Sequence, residues 1–198
     1  MRAELCLTGR ALKSVSARLP KNLTDFEVLF KLFIKKLQPV HDQVRGVEVG
    51  IAGVVSGHRV LGCRNIPWFR KYDFRRLVPK KYKLVVDNDA RMFLRQQLSS
   101  GAAGRAKRVL ALTIGTGIGR AYAENGRVKK IKAFEHAETW EREYQRLRFR
   151  SPKFLAIFLA KKFKPIIKKY QPEVIILGGG VLAKKRGLRP LLKSVIKL

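Results

Sequence analysis

Apolar positions along this chain recur at two spacings, alternating or clustered in short runs and helical in longer ones, and together they outline a mixed α/β order. Leu5 to Leu7 and Ala11 to Ala17 are strand-like, with Thr8-Gly9-Arg10 as the turn of a hairpin. A helix is expected from Thr24, where Thr24 and Glu27 have the spacing of a capping box. Phe26, Leu29, Phe30, Phe33 and Leu37 then fall on one helical face, and Pro39 ends it. Val47 to Gly53 reads as a strand whose glycines permit close backbone approach. Arg59 to Cys63 is a further extended segment, and Tyr82 to Val86 is a short buried strand ending in Asp87-Asn88-Asp89. A helix follows from Ala90 to Leu98.

Ser99 to Lys107 is small, polar and rich in glycine, so the pattern breaks there into two lobes, 1–104 and 105–198. The second lobe opens with a strand from Val109 to Ile114 and a glycine turn. Ile118 to Ala123 returns, Asn125-Gly126 makes a two-residue hairpin turn, and Arg127 to Ile131 is a third strand. Thr139 to Phe149 is helical and charged. Ser151-Pro152 starts a longer helix with a kink at Pro165. Val174 to Leu177 is a last buried strand, closed by three glycines, and a basic helix carrying Leu188, Leu191, Leu192, Val195 and Ile196 follows.

Composition narrows this picture only in part. The 198 residues are 46% hydrophobic, enough for a globular core, and no apolar run reaches membrane-spanning length. A soluble, cytoplasmic protein with no membrane partner is expected. Cys6 and Cys63 have no metal-ligand spacing and read as small buried hydrophobes. Lys and Arg number 44 against 14 Asp and Glu, a net charge of +30. The basic residues are spread along the chain, so nucleic acid is expected only as a non-specific electrostatic partner.

Three segments carry chemistry. In Thr113-Ile-Gly-Thr-Gly-Ile-Gly119, glycines at alternate positions after a strand let the backbone turn and present N–H groups to an anion, with the Thr116 hydroxyl as a further donor. An ordinary glycine-rich hairpin is the alternative. Two of the five aspartates of the chain lie in Asp87-Asn88-Asp89, at the end of a strand where α/β sheets gather ligands. A carboxylate there can take a hydroxyl proton during phosphoryl transfer, or simply cap the next helix. Ile175 to Val181 runs a strand into Gly178-Gly179-Gly180, where backbone can lie flat against a base or ribose, or start a helix.

The order Gly50 to Gly53, Asn65-Ile-Pro-Trp68, Asn88-Asp89-Ala90, Gly115-Thr-Gly-Ile-Gly119 and Pro172 to Gly180 resembles the ROK family of bacterial-type sugar kinases and sugar-responsive repressors. The resemblance implies an α/β, actin-like ATPase (ribonuclease-H-like) fold of two lobes, each a mixed sheet flanked by helices. It implies ATP with Mg²⁺ as cofactors, and phosphorylation of a hexose or N-acylhexosamine with Asp89 as general base. Gly53, Asn65 and Asn88 would meet the sugar. Gly115, Thr116 and Gly117 match a phosphate loop, and Gly178, Gly179 and Gly180 the segment near the adenosine. A homodimer is compatible with it.

The sequence also departs from the family. It contains no Asp-x-Gly-Gly-Thr, so it reads as starting inside the first hairpin, as an N-terminally truncated or degenerate member. The Gly-Glu-x-Gly-His segment is reduced to Phe134-Glu-His-Ala-Glu138, with Glu135 at the sugar-binding glutamate and His136 displaced from the histidine position. The cysteine-rich zinc loop is absent, so no metal site and no structural zinc are expected. A weak or inactive sugar- or nucleotide-binding protein, and a basic nucleic-acid-associated protein reusing the fold, are the alternatives to an active kinase.

Overall fold

The computed structural model describes residues 1–7, 10–37, 45–64 and 66–196; Thr8, Gly9, Pro39, Asn65 and the Cys6 side chain lie outside the described residues. The chain forms two compact units, Met1–Asn88 and Asp89–Leu198. Sequence reading divided it at 104/105; the structure divides it earlier because the helix after Asn88 packs on the sheet of the second unit.

In the first unit β1 (Arg2–Leu7) and β2 (Arg10–Ser16) form the expected antiparallel hairpin. Helix α1 (Leu23–Leu37) buries Phe26, Phe30, Phe33 and Leu37, one stripe at helical spacing. Its start differs from the expected capping box. The Asp25 N–H donates to Asn22 Oδ1 at 2.8 Å and the Asn22 amide to Asp25 at 2.9 Å, while Glu27 accepts the Tyr72 hydroxyl at 2.8 Å. A tertiary partner therefore claims Glu27, and Asn22, two residues before Thr24, does the capping. Asn22→Ala is expected to cost about 1 kcal/mol of stability, read as a lowered denaturation midpoint.

Strand β3 (Gly46–Ile51) pairs in parallel with β7 (Lys83–Asn88), Ile51 opposite Asn88. Between them in sequence, β4 (Val54–Ser56), β5 (Arg59–Gly62) and β6 (Tyr72–Asp73) make an antiparallel sheet. Phe26, Phe69, Tyr72 and Phe74 cluster in the core, Phe26 meeting Phe69 edge-on at 4.6 Å. Cys63 is buried just beyond β5, its Sγ–H donating to the Ala52 carbonyl at 3.1 Å.

The second unit is one four-stranded sheet in the order β10-β9-β8-β11: β8 (Arg108–Ile114), β9 (Ile118–Glu124), β10 (Arg127–Lys129) and β11 (Val174–Gly178). Only β8 and β11 are parallel. Asn125 and Gly126 turn β9 into β10 with φ of 51° and 73°, as their types require. Side chains alternate across β8 by size. Leu110, Leu112 and Ile114 face a core with α4 (Pro152–Tyr170) and α6 (Leu188–Ile196), whereas Val109 and Ala111, with Ala121 and Ala123 of β9, face α2 (Asp89–Ser99). Small residues on that side bring α2 close to the sheet.

Some local expectations change. Strand β10 stops at Lys129, and α3 (Glu141–Leu147) is shorter than the 139–149 read from sequence. Helix α4 continues through Pro165, since burial of Leu155, Leu159 and Phe163 outweighs one missing ladder bond; Ser151 precedes it without a side-chain cap. A short helix, α5 (Gly180–Lys184), separates β11 from α6. Among the described residues no helix is long and apolar enough to cross a membrane.

Candidate functional site

Within the second unit, three of the chemistry-bearing segments meet at the first turns of α2. The helix begins with Asp89. The next residue, Ala90, lies against Gly119: a Cβ at Gly119 would sit 3.0 Å from that of Ala90 and would overlap Thr113. One turn on, the Phe93 ring occupies the space a side chain at Gly178 would need. Gly179, with φ of +101°, lies against the backbone of Ile114. The carboxyl ends of parallel strands β8 and β11 and the aspartate are thereby held at one edge of the sheet, where α/β folds gather ligands.

The glycines divide by what surrounds them. Gly119, Gly178 and Gly179 are demanded by packing. Gly115 and Gly117 are not: both have ordinary negative-side φ, and an added Cβ would meet nothing closer than 3.9 Å at Gly115 and 3.7 Å at Gly117. Gly180 faces open space. The loop 115–117 is instead held from beneath by α3. The Tyr144 hydroxyl donates to the Gly115 carbonyl at 2.6 Å, the Gln145 amide to the Thr116 carbonyl, and the Ile118 N–H reaches the Glu141 carboxylate at 3.5 Å. The Gly115 N–H is used on the Gly117 carbonyl at 3.0 Å. The N–H groups of Thr116 and Gly117 have no partner among the described residues. That pair of donors in an open, glycine-lined turn fits a phosphate.

The Asp89 carboxylate is accessible to water and accepts the Ala90 N–H at 2.8 Å. Nearby protein nonetheless desolvates it, and this pushes its pKa above the ordinary carboxylate range; hydrogen bonds from the Ala90 and Asp89 N–H groups oppose the shift without cancelling it. In the first unit Asn88 is buried, and its Nδ2 donates to the Gly53 carbonyl at 3.1 Å. Two residues expected at a sugar are thus bonded to one another. Gly53 is glycine for a packing reason, since a Cβ would overlap the Gly62 carbonyl.

Glu135 forms a buried ion pair with Arg91 of α2, the two side chains 3% and 7% exposed. His136 is exposed, and its carbonyl accepts from Arg120. Arg120, 1% exposed, also donates to Glu138 at 2.8 Å and to Glu141 at 3.4 Å. Among the described residues no three His, Cys, Asp or Glu side chains cluster as a metal cage.

The sequence pattern of the ROK family matches residues 7–138, more than half of the chain. The chain belongs to the ROK family. No curated protein sequence matches it. Solved structures of ROK proteins share its actin-like fold. A ROK glucokinase from Streptomyces griseus, in complex with glucose and AMPPNP, is 18% identical with a TM-score of 0.76, over 96% of this chain and 84% of that one. An inorganic polyphosphate/ATP-glucomannokinase from Arthrobacter sp. strain KM is 21% identical with a TM-score of 0.75, over 96% and 83%. A ROK protein from Streptococcus pneumoniae TIGR4, in complex with sucrose, is 16% identical with a TM-score of 0.72, over 99% and 82%.

In this ROK fold α2 rests through Ala90 and Phe93 on Gly119 and Gly178 in one unit, Asn88 is bonded to Gly53 in the other, and Glu135 is seated on Arg91. Sequence reading missed Arg91, Arg120, Glu141, Tyr144 and Gln145. Two signals were available. Arg120 interrupts an apolar strand, and Glu141, Tyr144 and Gln145 are spaced i, i+3, i+4 on one helical face, in a segment that reads merely as charged.

Proposed function

We propose that this ROK protein transfers the terminal phosphoryl group of ATP to a hydroxyl of a hexose or N-acylhexosamine. The observation that carries the reading is the seating of α2. The helix that presents Asp89 rests through Ala90 and Phe93 on the two glycine segments suited to a nucleotide. The glucose and AMPPNP held by the Streptomyces griseus relative support the same pair of ligands.

The chain's residues fit this chemistry. The Thr116 and Gly117 N–H groups, with the Thr116 hydroxyl, would take phosphate oxygens, in a turn that no side chain crowds at Gly115 or Gly117. Gly178, Gly179 and Gly180 would lie along the adenosine. Bound ATP with Mg²⁺ would supply an electrophilic phosphoryl group for the attack of the sugar hydroxyl. Asp89 would accept the sugar hydroxyl proton as that oxygen attacks. Asn88, Asn65, the Gly53 backbone and His136 would orient the sugar, and Glu135 would meet it as a carboxylate already fixed by Arg91. No membrane partner enters this reading; a homodimer, and non-specific nucleic-acid contact through the +30 charge, are compatible with it.

A coupled ADP-release assay over a panel of hexoses and N-acylhexosamines tests the activity, and its pH profile tests the base. Asp89 must be ionised to act, and its pKa is raised, so kcat/KM is expected to climb with pH through a limb above the usual carboxylate range. A limb at the ordinary aspartate position would show that another group takes the proton.

A further inference from the structure

We propose that Tyr144 and Gln145 of α3 are positioning residues that aim the phosphate-binding N–H groups of the 115–117 loop. The inference rests on the phosphate reading above and adds what makes the loop competent. In a trans peptide the carbonyl and the N–H of one plane point in opposite directions. The plane between Gly115 and Thr116 carries the Gly115 carbonyl on one side, and the Tyr144 hydroxyl draws that carbonyl toward α3 at 2.6 Å. The Thr116 N–H therefore points away from the helix. The next plane behaves identically: the Gln145 amide holds the Thr116 carbonyl, so the Gly117 N–H points away as well. These are the two loop donors with no partner among the described residues.

Within the turn itself, among the described residues, only the Gly115 N–H bond to the Gly117 carbonyl braces the chain, and it uses neither carbonyl of these two planes. Glycines at 115 and 117 flank Thr116 without crowding, and glycine offers the widest range of peptide orientations. Tyr144 is fully buried in the α4 core, so its hydroxyl is delivered from a rigid ring. Burial pushes its pKa up to about 12, which keeps it a donor throughout the physiological range. Glu141 completes the face. One of its oxygens receives the Ile118 N–H, and the other binds the Glu138 N–H at 3.0 Å and Arg120 at 3.4 Å, fastening α3 to the start of β9 just after the loop.

The test compares ATP, adenosine and inorganic tripolyphosphate binding to the full chain by calorimetry, with the Thr116 and Gly117 amides followed by NMR. Tyr144→Phe and Gln145→Leu are each expected to weaken ATP and tripolyphosphate about tenfold and to leave adenosine unchanged. A merely structural role would weaken all three. Gln145 is half-exposed, so its variant keeps the inference testable even where Tyr144→Phe lowers folding stability. Full retention of ATP and tripolyphosphate affinity in both variants overturns the inference and leaves the kinase reading standing. Tripolyphosphate that shifts the two amides in a Tyr144-dependent way, with no ATP binding, upholds the inference and removes the kinase reading. A wild-type chain that binds neither phosphate compound overturns both.

Discussion

Asp89→Asn is expected to reduce turnover by about 100- to 10,000-fold, the range supplied by a positioned general base, while KM for sugar and nucleotide stays near wild type. Asparagine has the same shape and can accept the Ala90 N–H that Asp89 now receives at 2.8 Å. The start of α2 is therefore preserved. Stability should move oppositely to activity. A carboxyl whose pKa is raised in the folded chain favours folding in its protonated form, and that contribution is lost as pH rises through the raised value. At neutral pH the charge is a burden on the fold, so the variant should melt at or slightly above the wild-type temperature. Thermal melts beside steady-state kinetics check both halves; a variant that loses activity because it unfolds would refute the assignment of a chemical role.

The second large effect is expected at Gly179. Its φ of +101° is strained for any side chain, and a Cβ there would overlap the Ile114 backbone, which cannot move without disturbing the centre of the sheet. Gly179→Ala should cost about 4 kcal/mol, combining backbone strain with overpacking, and lower the melting temperature by about 10 °C. Gly115→Ala supplies the contrast. It meets only the Gly117 carbonyl, at an ordinary contact distance of 3.9 Å, so its stability should change by less than about 0.5 kcal/mol while ATP affinity falls, because the methyl crowds the turn assigned to phosphate. Equal melting of the two variants would show that the glycines do not divide into packing and ligand positions.

That division explains how far the sequence could be read. The Asp89 position, the glycine turn after β8 and the triple glycine after β11 were legible, since each sits where a hydrophobic run stops and only small or acidic residues follow. The purpose of each glycine was not. Gly115 and Gly119 look alike in sequence, yet a Cβ at the first would make only an ordinary contact with its own turn, and one at the second would crowd Thr113 and Ala90 across the sheet-to-helix contact. The same limit applies to side chains claimed at long range. Glu27 had capping spacing, and Tyr72, 45 residues away, took it; Glu135 sat at the sugar glutamate, and Arg91, 44 residues away, holds it. Helix α3 was read as merely charged because what it supports, the carbonyls of Gly115 and Thr116, lies in another element. Spacing rules see neighbours on one helix or strand, and these pairs are made by the fold.

Transfer of label from γ-labelled ATP to a hexose or N-acylhexosamine, measured on the full chain in wild-type and Asp89→Asn forms, decides whether this chain is a sugar kinase with Asp89 as its base. A labelled sugar phosphate is expected from the wild type, in an amount that rises with pH through the raised Asp89 ionisation, and almost none from the variant, although both bind ATP. Equal label transfer by the two proteins, or ATP binding with no transfer to any sugar of the panel by the wild type, would contradict that assignment.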